Sequence, residues 1–282
     1  INVNHTVPVV SVCSQGVYSL VANGSQNPPN RVGSFELFEQ DGTFIDESEG
    51  DFNKHGNDSW AYAQRGFDFV CRDQYGHNGD LEHEIFPEKD RDAFQRVILK
   101  PGASDNYPFE EGGAHIRDPF IQTLSQKIGL DLDERSSTHI SLFVNGAYWG
   151  VYDLREKVDD NDYTDHYYGQ DHTFNGSDVY LQYIKTWGGT EAEFGNAPAI
   201  SDWTSLVQYV QDNNMGEAQH FDYVNSQLNI NSLIDYFVIN SFVVSRDWLN
   251  YNTGWWRGLD PSGEAQKWRY TLWDMDAALG HY

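Results

Sequence analysis

The sequence predicts an α+β fold in two lobes, the first β-rich and the second mainly helical, on three observations. Short runs in the first half alternate apolar and polar residues between turn residues, the period of half-buried strands. Apolar residues in the second half recur at helical spacing, over Trp203 to Val210, Phe221 to Leu228 and Asn231 to Val244. Between the halves, near Glu156 to Asp160, the chain turns polar and acidic. Strands with one helix, followed by mainly helices, is an α+β order.

Taken along the chain, a strand opens at Pro8 to Val12, and a polar loop over 23–30 with Pro28-Pro29 follows. Residues 1–30 thus read as an N-terminal strand and linker. Phe35 to Gln40 alternates until Asp41-Gly42 turns it. Arg65 to Arg72 alternates again, with Phe67, Phe69 and Cys71 on one face, and Arg96 to Lys100 is a short strand stopped by Pro101-Gly102. Asp118 reads as the cap of a helix from Pro119 to Ile128, with Pro at its first position and Gly129 ending it. His139 to Val144 and Tyr148 to Leu154 form a hairpin around Asn145-Gly146, the strongest turn signal in the chain. These elements place the first lobe at 31–158 and the second at 159–282. In the second, Asn231 to Val244 is apolar over most of its circumference and predicts a buried helix capped by Asn231 or Ser232. Asn252 to Arg257 and Gln266 to Trp273 read as two strands joined by the turn Leu259-Asp260-Pro261-Ser262-Gly263.

Composition sets the bounds. The 282 residues suffice for a real core, and 15% aromatic content, with 9 Trp and 17 Tyr, argues against disorder. No apolar run approaches the roughly 20 residues of a membrane span. The chain opens without Met and without a signal peptide, which predicts a mature or trimmed fragment, and its stop at Tyr282 predicts further sequence beyond. A formal charge of −25 with only 18 Lys and Arg disfavours nucleic acid and anionic membranes as partners. Such acidity fits a secreted protein in salty surroundings, or a surface that binds divalent cations. Cys13 and Cys71 leave two readings open, one disulfide or two separate buried thiols. No Cys/His spacing suggests zinc. Sequons at Asn4, Asn23, Asn57 and Asn175 read as coincidence in an Asn-rich chain, unless the source is a eukaryote.

The richest stretch is Ser245-Arg246-Asp247-Trp248-Leu249-Asn250-Tyr251-Asn252, followed after the predicted hairpin by Trp273-Asp274-Met275-Asp276 and Gly280. Phosphoryl transfer needs a carboxylate to orient a hydroxyl nucleophile, and an amide plus a carboxylate to hold divalent metal against phosphates. Asp247 is the candidate base, Asn252 a hard oxygen ligand and Asp274 the principal metal carboxylate. Asp276 is either a second ligand or a loop cap. Helix, catalytic loop, hairpin and metal loop follow in the order of a protein-kinase second lobe.

Further blocks accompany that order. They are His55-Gly56-Asn57-Asp58-Ser59-Trp60 with Gln64-Arg65-Gly66-Phe67, Val97-Ile98-Leu99-Lys100, Ile116-Arg117-Asp118, and Val144-Asn145-Gly146-Ala147-Tyr148-Trp149-Gly150-Val151-Tyr152 with Arg155-Glu156-Lys157-Val158-Asp159. Together, over roughly residues 50 to 282, they resemble the CotH kinase family, atypical protein kinases first known from spore coats. The resemblance implies an atypical protein-kinase-like bilobal fold and an extracellular, secreted or cell- or spore-surface location. It implies transfer of the ATP γ-phosphoryl group to Ser or Thr of secreted, surface or coat proteins, the chain itself included, with Mg2+ or Mn2+. Lys100 resembles the strand lysine that contacts nucleotide phosphates, and its other reading is a strand-end lysine exposed at a turn. A kinase lysine needs an acidic partner on the neighbouring helix, and only Asp118, already read as a cap, stands near. Arg65 and Arg72 are the alternative phosphate cations, Arg65 sitting where the family often has Lys. Gly50 to Gly56 with Ser59 is the nearest substitute for a Gly-rich phosphate loop. Glu156 either reaches a ribose or pairs with Lys157 and faces water. His115 and His139 read as structural. Two other classes remain, an inactive adhesion or assembly module that contacts polysaccharide or protein, and a site that binds Ca2+ for stability alone.

Overall fold

The computed structural model describes residues 5–25, 27–28, 30–76, 78–106, 109–171, 173–174, 177–178 and 181–281. The sequons at Asn4 and Asn175, and Pro29 of the Pro28-Pro29 pair, lie outside the described residues. The chain divides into two compact units, one of residues 1–119, 135–157 and 281, the other of 120–134, 158–280 and 282.

In chain order the first unit contains β1 (Val9–Cys13), α1 (Gln15–Asn23), β2 (Val32–Phe38), β3 (Phe44–Lys54), β4 (Phe67–Cys71), the short β5 (Leu81–Glu82) and β6 (Ala93–Phe94), and β7 (Arg96–Lys100). Helix α2 (Arg117–Ile128) starts in it, and β8 (Ser137–Val144) and β9 (Ala147–Glu156) complete it. Seven of these strands close a barrel in the order β1-β2-β3-β4-β7-β9-β8. The seam is the parallel pairing of β1 with β8, Val9 opposite Ser141 through Val12 opposite Val144. Every other neighbour is antiparallel. Alternation fills the core, with Phe35, Phe52, Phe69, Leu99 and Tyr152 all buried. Phe69 lies between Phe35 and Phe52, its ring centroid 5.0 Å from the first and 4.8 Å from the second. Ser14 caps α1 by accepting the Val17 N–H at 2.9 Å. The tight turn of the β8–β9 hairpin falls at Asn145 and Gly146, with φ of 50° and 78°.

The second unit holds α3 (Asn161–Tyr168), the two-residue strands β10 (Thr173–Phe174) and β11 (Ser177–Asp178), β12 (Leu181–Thr186), β13 (Thr190–Phe194), α4 (Asn196–Asp212), α5 (Ala218–Gln227), α6 (Ile230–Phe242), β14 (Thr253–Gly258) and β15 (Arg269–Thr271). Its main sheet is antiparallel in the order β13-β12-β14-β15. Trp255, Trp268, Tyr270, Tyr236, Ile239 and Leu206 share one apolar cluster. Trp256 and Tyr168 belong to a second, smaller cluster, and buried Asp133 accepts from Trp256 Nε1 at 2.7 Å, Arg269 Nε at 2.9 Å and the Tyr168 hydroxyl. No helix among the described residues is long and apolar enough to cross a membrane.

The fold expected from the sequence is corrected here. In place of a kinase-like bilobal fold with a β-rich first lobe and a mainly helical second, the structure has a closed seven-stranded barrel. Its second unit is built on a four-stranded sheet as well as on helices. Two features escape a local reading. β3 spans Phe-Ile-Asp-Glu-Ser-Glu-Gly-Asp-Phe-Asn-Lys, a run too acidic to read as a strand, although Ser48, Gly50 and Phe52 all fall on its buried side. The closing β1–β8 pair joins segments far apart in sequence, which no short-range pattern reports. Gly50, read as part of a phosphate loop, is a strand residue opposite Cys71. A Cβ there would fall 2.0 Å from the Val70 carbonyl oxygen. Both cysteines are free thiols, Cys13 exposed and Cys71 buried, and burial pushes the Cys71 thiol up to about 11.

Candidate functional site

In the second unit, α6 starts at an Asn229 cap and ends where Val244 turns into the left-handed region with φ 52°. Two backbone hydrogen bonds then fasten the segment that follows it to the loop beyond β15. Arg246 donates its N–H to the Ala277 carbonyl at 3.0 Å, and Leu279 donates its N–H to the Val243 carbonyl at 2.8 Å. From the other side, Gln122 Nε2 donates to the Trp273 carbonyl at 2.6 Å, immediately before Asp274. The segment carrying Asp247 and the segment carrying Asp274 and Asp276 are therefore held side by side. Asp247 is exposed and accepts from Asn252 Nδ2 at 2.7 Å, so the Asn252 amide oxygen is the end left to act as a hard ligand. Asp276 is buried and Asp274 half-buried. Leu249 and Asn252 also take positive φ, 73° and 50°. For Val and Leu this backbone costs about 1–3 kcal/mol each and persists only where its surroundings enforce it.

Among the described residues, no group of three or more His, Cys, Asp or Glu side chains is placed to hold a metal ion. A magnesium site of the phosphate-transfer kind does not require one. It uses one or two carboxylates plus the phosphate oxygens themselves. Two aspartates and an amide oxygen on adjoining segments match that donor chemistry.

In the first unit each candidate nucleotide residue has its own partners. Lys100 is buried, not exposed at a turn, and its Nζ lies 3.1 Å from Asp118 Oδ2. Helix α2 starts at Arg117, so Asp118 is a residue of its first turn instead of its cap. The acidic partner that Lys100 lacked in the sequence is thus Asp118. Strand register explains the rest. Lys100 stands opposite Asp153, and Asp153 opposite His139, across β7, β9 and β8. Arg155, two residues along β9, bridges Asp118 at 2.5 Å and Asp153 at 2.8 Å, and His139 Nδ1 meets the other Asp153 oxygen. Burial alone would raise Asp118, but the charges of Arg155, Lys100 and Arg135 outweigh it and hold the carboxyl far below the usual range. Asp153 is likewise lowered, against burial, mainly by Arg155. The hydrogen bond to Asp153 raises His139.

Glu156 is fully buried between Lys89 Nζ at 3.0 Å and Arg91 at 3.2 Å, so the water-facing reading is replaced by an internal one. Arg65 donates to the Val21 carbonyl at 2.7 Å and the Ala22 carbonyl at 3.3 Å, closing the end of α1. Arg72 pairs with Asp51 at 2.9 Å. The sequence reading missed Asp118 as an ion-pair partner, and with it Asp153 and Arg155. A usable signal existed, because Asp153 and Arg155 share one face of a strand whose neighbours Tyr152 and Leu154 are core residues.

A family model described as CotH kinase protein matches residues 52–282. No curated protein matches the chain.

Proposed function

Because the chain belongs to the CotH kinase family, we propose that it transfers the γ-phosphoryl group of ATP to a Ser or Thr hydroxyl of a protein acceptor. One observation carries the reading, the fastening of the Asp247–Asn252 segment to the Asp274–Gly280 loop by the Arg246–Ala277 and Leu279–Val243 hydrogen bonds. It supports the residue roles as follows. Asp247 accepts the hydrogen bond of the attacking hydroxyl and takes its proton as the new O–P bond forms. The bond from the γ-phosphorus to the β,γ-bridging oxygen breaks, and ADP leaves. The Asn252 bond to Asp247 keeps one carboxylate oxygen oriented while the exposed setting admits a protein substrate. Asp274 and Asn252, together with Asp276, are the residues that would hold Mg2+ or Mn2+. When bound, such an ion neutralises phosphate charge, a need sharpened by a net charge of −25. Lys100, paired with Asp118, is the proposed phosphate contact of the barrel unit. Arg65 and Arg72 are engaged by the backbone and by Asp51, and Glu156 by Lys89 and Arg91, which favours structural roles for these three.

The test is transfer of label from γ-labelled ATP, with Mg2+ or Mn2+, to the protein itself and to a generic acceptor. Loss of label in folded Asp247→Ala and Asp274→Ala variants is the expected result. Absence of transfer by the unmodified chain, together with absence of metal-dependent ATP binding by calorimetry, overturns the proposal.

A further inference from the structure

On the segment that carries Asp247, Tyr251 meets Trp187 in a pair of aromatic rings that the phosphoryl-transfer scheme does not use. Trp187 is 55% exposed and Tyr251 43% exposed, although large aromatic side chains ordinarily bury most of their surface. Their centroids are 6.0 Å apart with the ring planes at 83°. Two rings meeting at nearly a right angle leave a corner walled on two sides.

The corner is built by the backbone. Tyr251 lies within the Asp247–Asn252 segment, and Trp187 lies at the tip of the β12–β13 hairpin, whose last β12 residue, Thr186, pairs with Thr253. Gly188 at that tip donates its N–H to the Asn250 carbonyl at 2.8 Å, and Thr186 Oγ1 donates to the same carbonyl at 3.3 Å. Gly188 has φ of 79°, and a Cβ there would come within 3.3 Å of the Tyr251 ring. Glycine is therefore what lets the tip close on Tyr251. Trp248, from the same segment, instead packs inward on Tyr236 and Phe237 at 5.8 and 5.3 Å. The chain thus turns one aromatic residue of this segment into the core, and holds another outward against the hairpin tip.

We propose that Trp187 and Tyr251 form the acceptor-side subsite, receiving a large apolar side chain of the protein substrate next to the Ser or Thr whose hydroxyl faces Asp247. This rests on the phosphoryl-transfer reading and deepens it. Both rings present apolar faces, so the corner selects by shape and apolar contact, and its attachment to Asn250 ties it to the segment that carries Asp247. The pair positions the acceptor and takes no part in bond making.

The probe is an array of Ser-centred peptides with each flanking position varied, phosphorylated with labelled ATP by the unmodified protein, Trp187→Ala and Trp187→Phe. An aromatic contact of this kind changes affinity about fivefold to tenfold. The expected result is a preference for large apolar residues at one or two flanking positions, erased in Trp187→Ala and restored in Trp187→Phe. The acceptor KM should rise about fivefold to tenfold in Trp187→Ala, while the KM for ATP and the slow hydrolysis of ATP by water stay unchanged. Trp187 is exposed, so the variant should keep the thermal midpoint of the parent. Failure of the unmodified protein to label any peptide or itself overturns the phosphoryl-transfer reading, and the subsite with it. Active protein whose preference is cationic, or whose preference and acceptor KM survive Trp187→Ala, overturns the subsite alone.

Discussion

Replacing Arg155 by Met keeps the apolar stem and deletes the one cation that Asp118 and Asp153 share. Side chains of all three are at most 3% exposed, with contacts of 2.5 and 2.8 Å. Removing one partner of a buried ion pair costs about 3–5 kcal/mol, because the remaining charge is stranded away from water. Here two charges are stranded, but each retains a partner, Lys100 at 3.1 Å for Asp118 and His139 for Asp153. The expected loss at pH 7 is therefore near the lower bound, about 3 kcal/mol. The pH dependence separates this account from simple loss of packing. In the parent both carboxyls are lowered, so their stabilisation is present above the unfolded value of about 4 and is lost only as pH falls through the folded value. Between pH 7 and 5 they contribute no slope. Without Arg155, burial is less opposed and both groups climb. A carboxyl raised above its unfolded value gains stability as pH falls, so the deficit of the variant shrinks between pH 7 and 5. Urea unfolding of both proteins at the two pH values measures it. A deficit under about 1 kcal/mol at pH 7, or one that is equal or larger at pH 5, refutes the reasoning.

Three further outcomes are expected. His139 is raised by its bond to Asp153, so the stability it contributes is complete below the unfolded value of 6.5 and is lost as pH rises through the folded one. His139→Gln should flatten the thermal midpoint against pH above 6.5, and an unchanged slope there would count against the pair. Phe69→Ala empties the centre of the barrel between Phe35 and Phe52 and should cost about 3–5 kcal/mol in denaturant unfolding. Asp133→Ala leaves the donors of Trp256, Arg269 and Tyr168 without their acceptor and should cost about 3 kcal/mol or more, read as a lowered midpoint of the second unit.

Local chemistry was legible and distant pairing was not. Asn145-Gly146 announced its hairpin because only residues tolerant of positive φ suit that turn. The helical spacing over Trp203 to Val210 and Phe221 to Leu228 lies within α4 and at α5. Asn252 to Arg257 and Gln266 to Trp273 contain paired strands, with Gly254 opposite Thr271. By contrast, α6 was read as buried from apolarity alone, yet Ile234, Phe237, Val238 and Phe242 are 45–72% exposed. Apolar content fixes that a helix can bury a face, not which neighbours arrive to cover it. At the candidate site, type and order singled out Asp247, Asn252 and Asp274, and the structure joins the first two by a hydrogen bond. Asp118 was misjudged, since Asp before Pro fits a cap equally well, and only the helix start at Arg117 separates the two. Trp187 had no signal, because its relation to Asn250 exists only through the hairpin.

The closed barrel bears on how this chain may be cut. The family match begins at residue 52, whereas β1 and β2 end at Cys13 and Phe38. A fragment trimmed to the matched span would keep β4, β7, β9 and β8, but only the last three residues of β3. Its sheet would end on β8 with the partner from β1 gone, a row of bare backbone donors and acceptors alongside Ser141 to Val144. Open edges of that kind template pairing between molecules, so such a fragment is expected to oligomerise or precipitate. The span that sequence comparison recognises is shorter than the span that folds, and a soluble excised piece must start ahead of Val9.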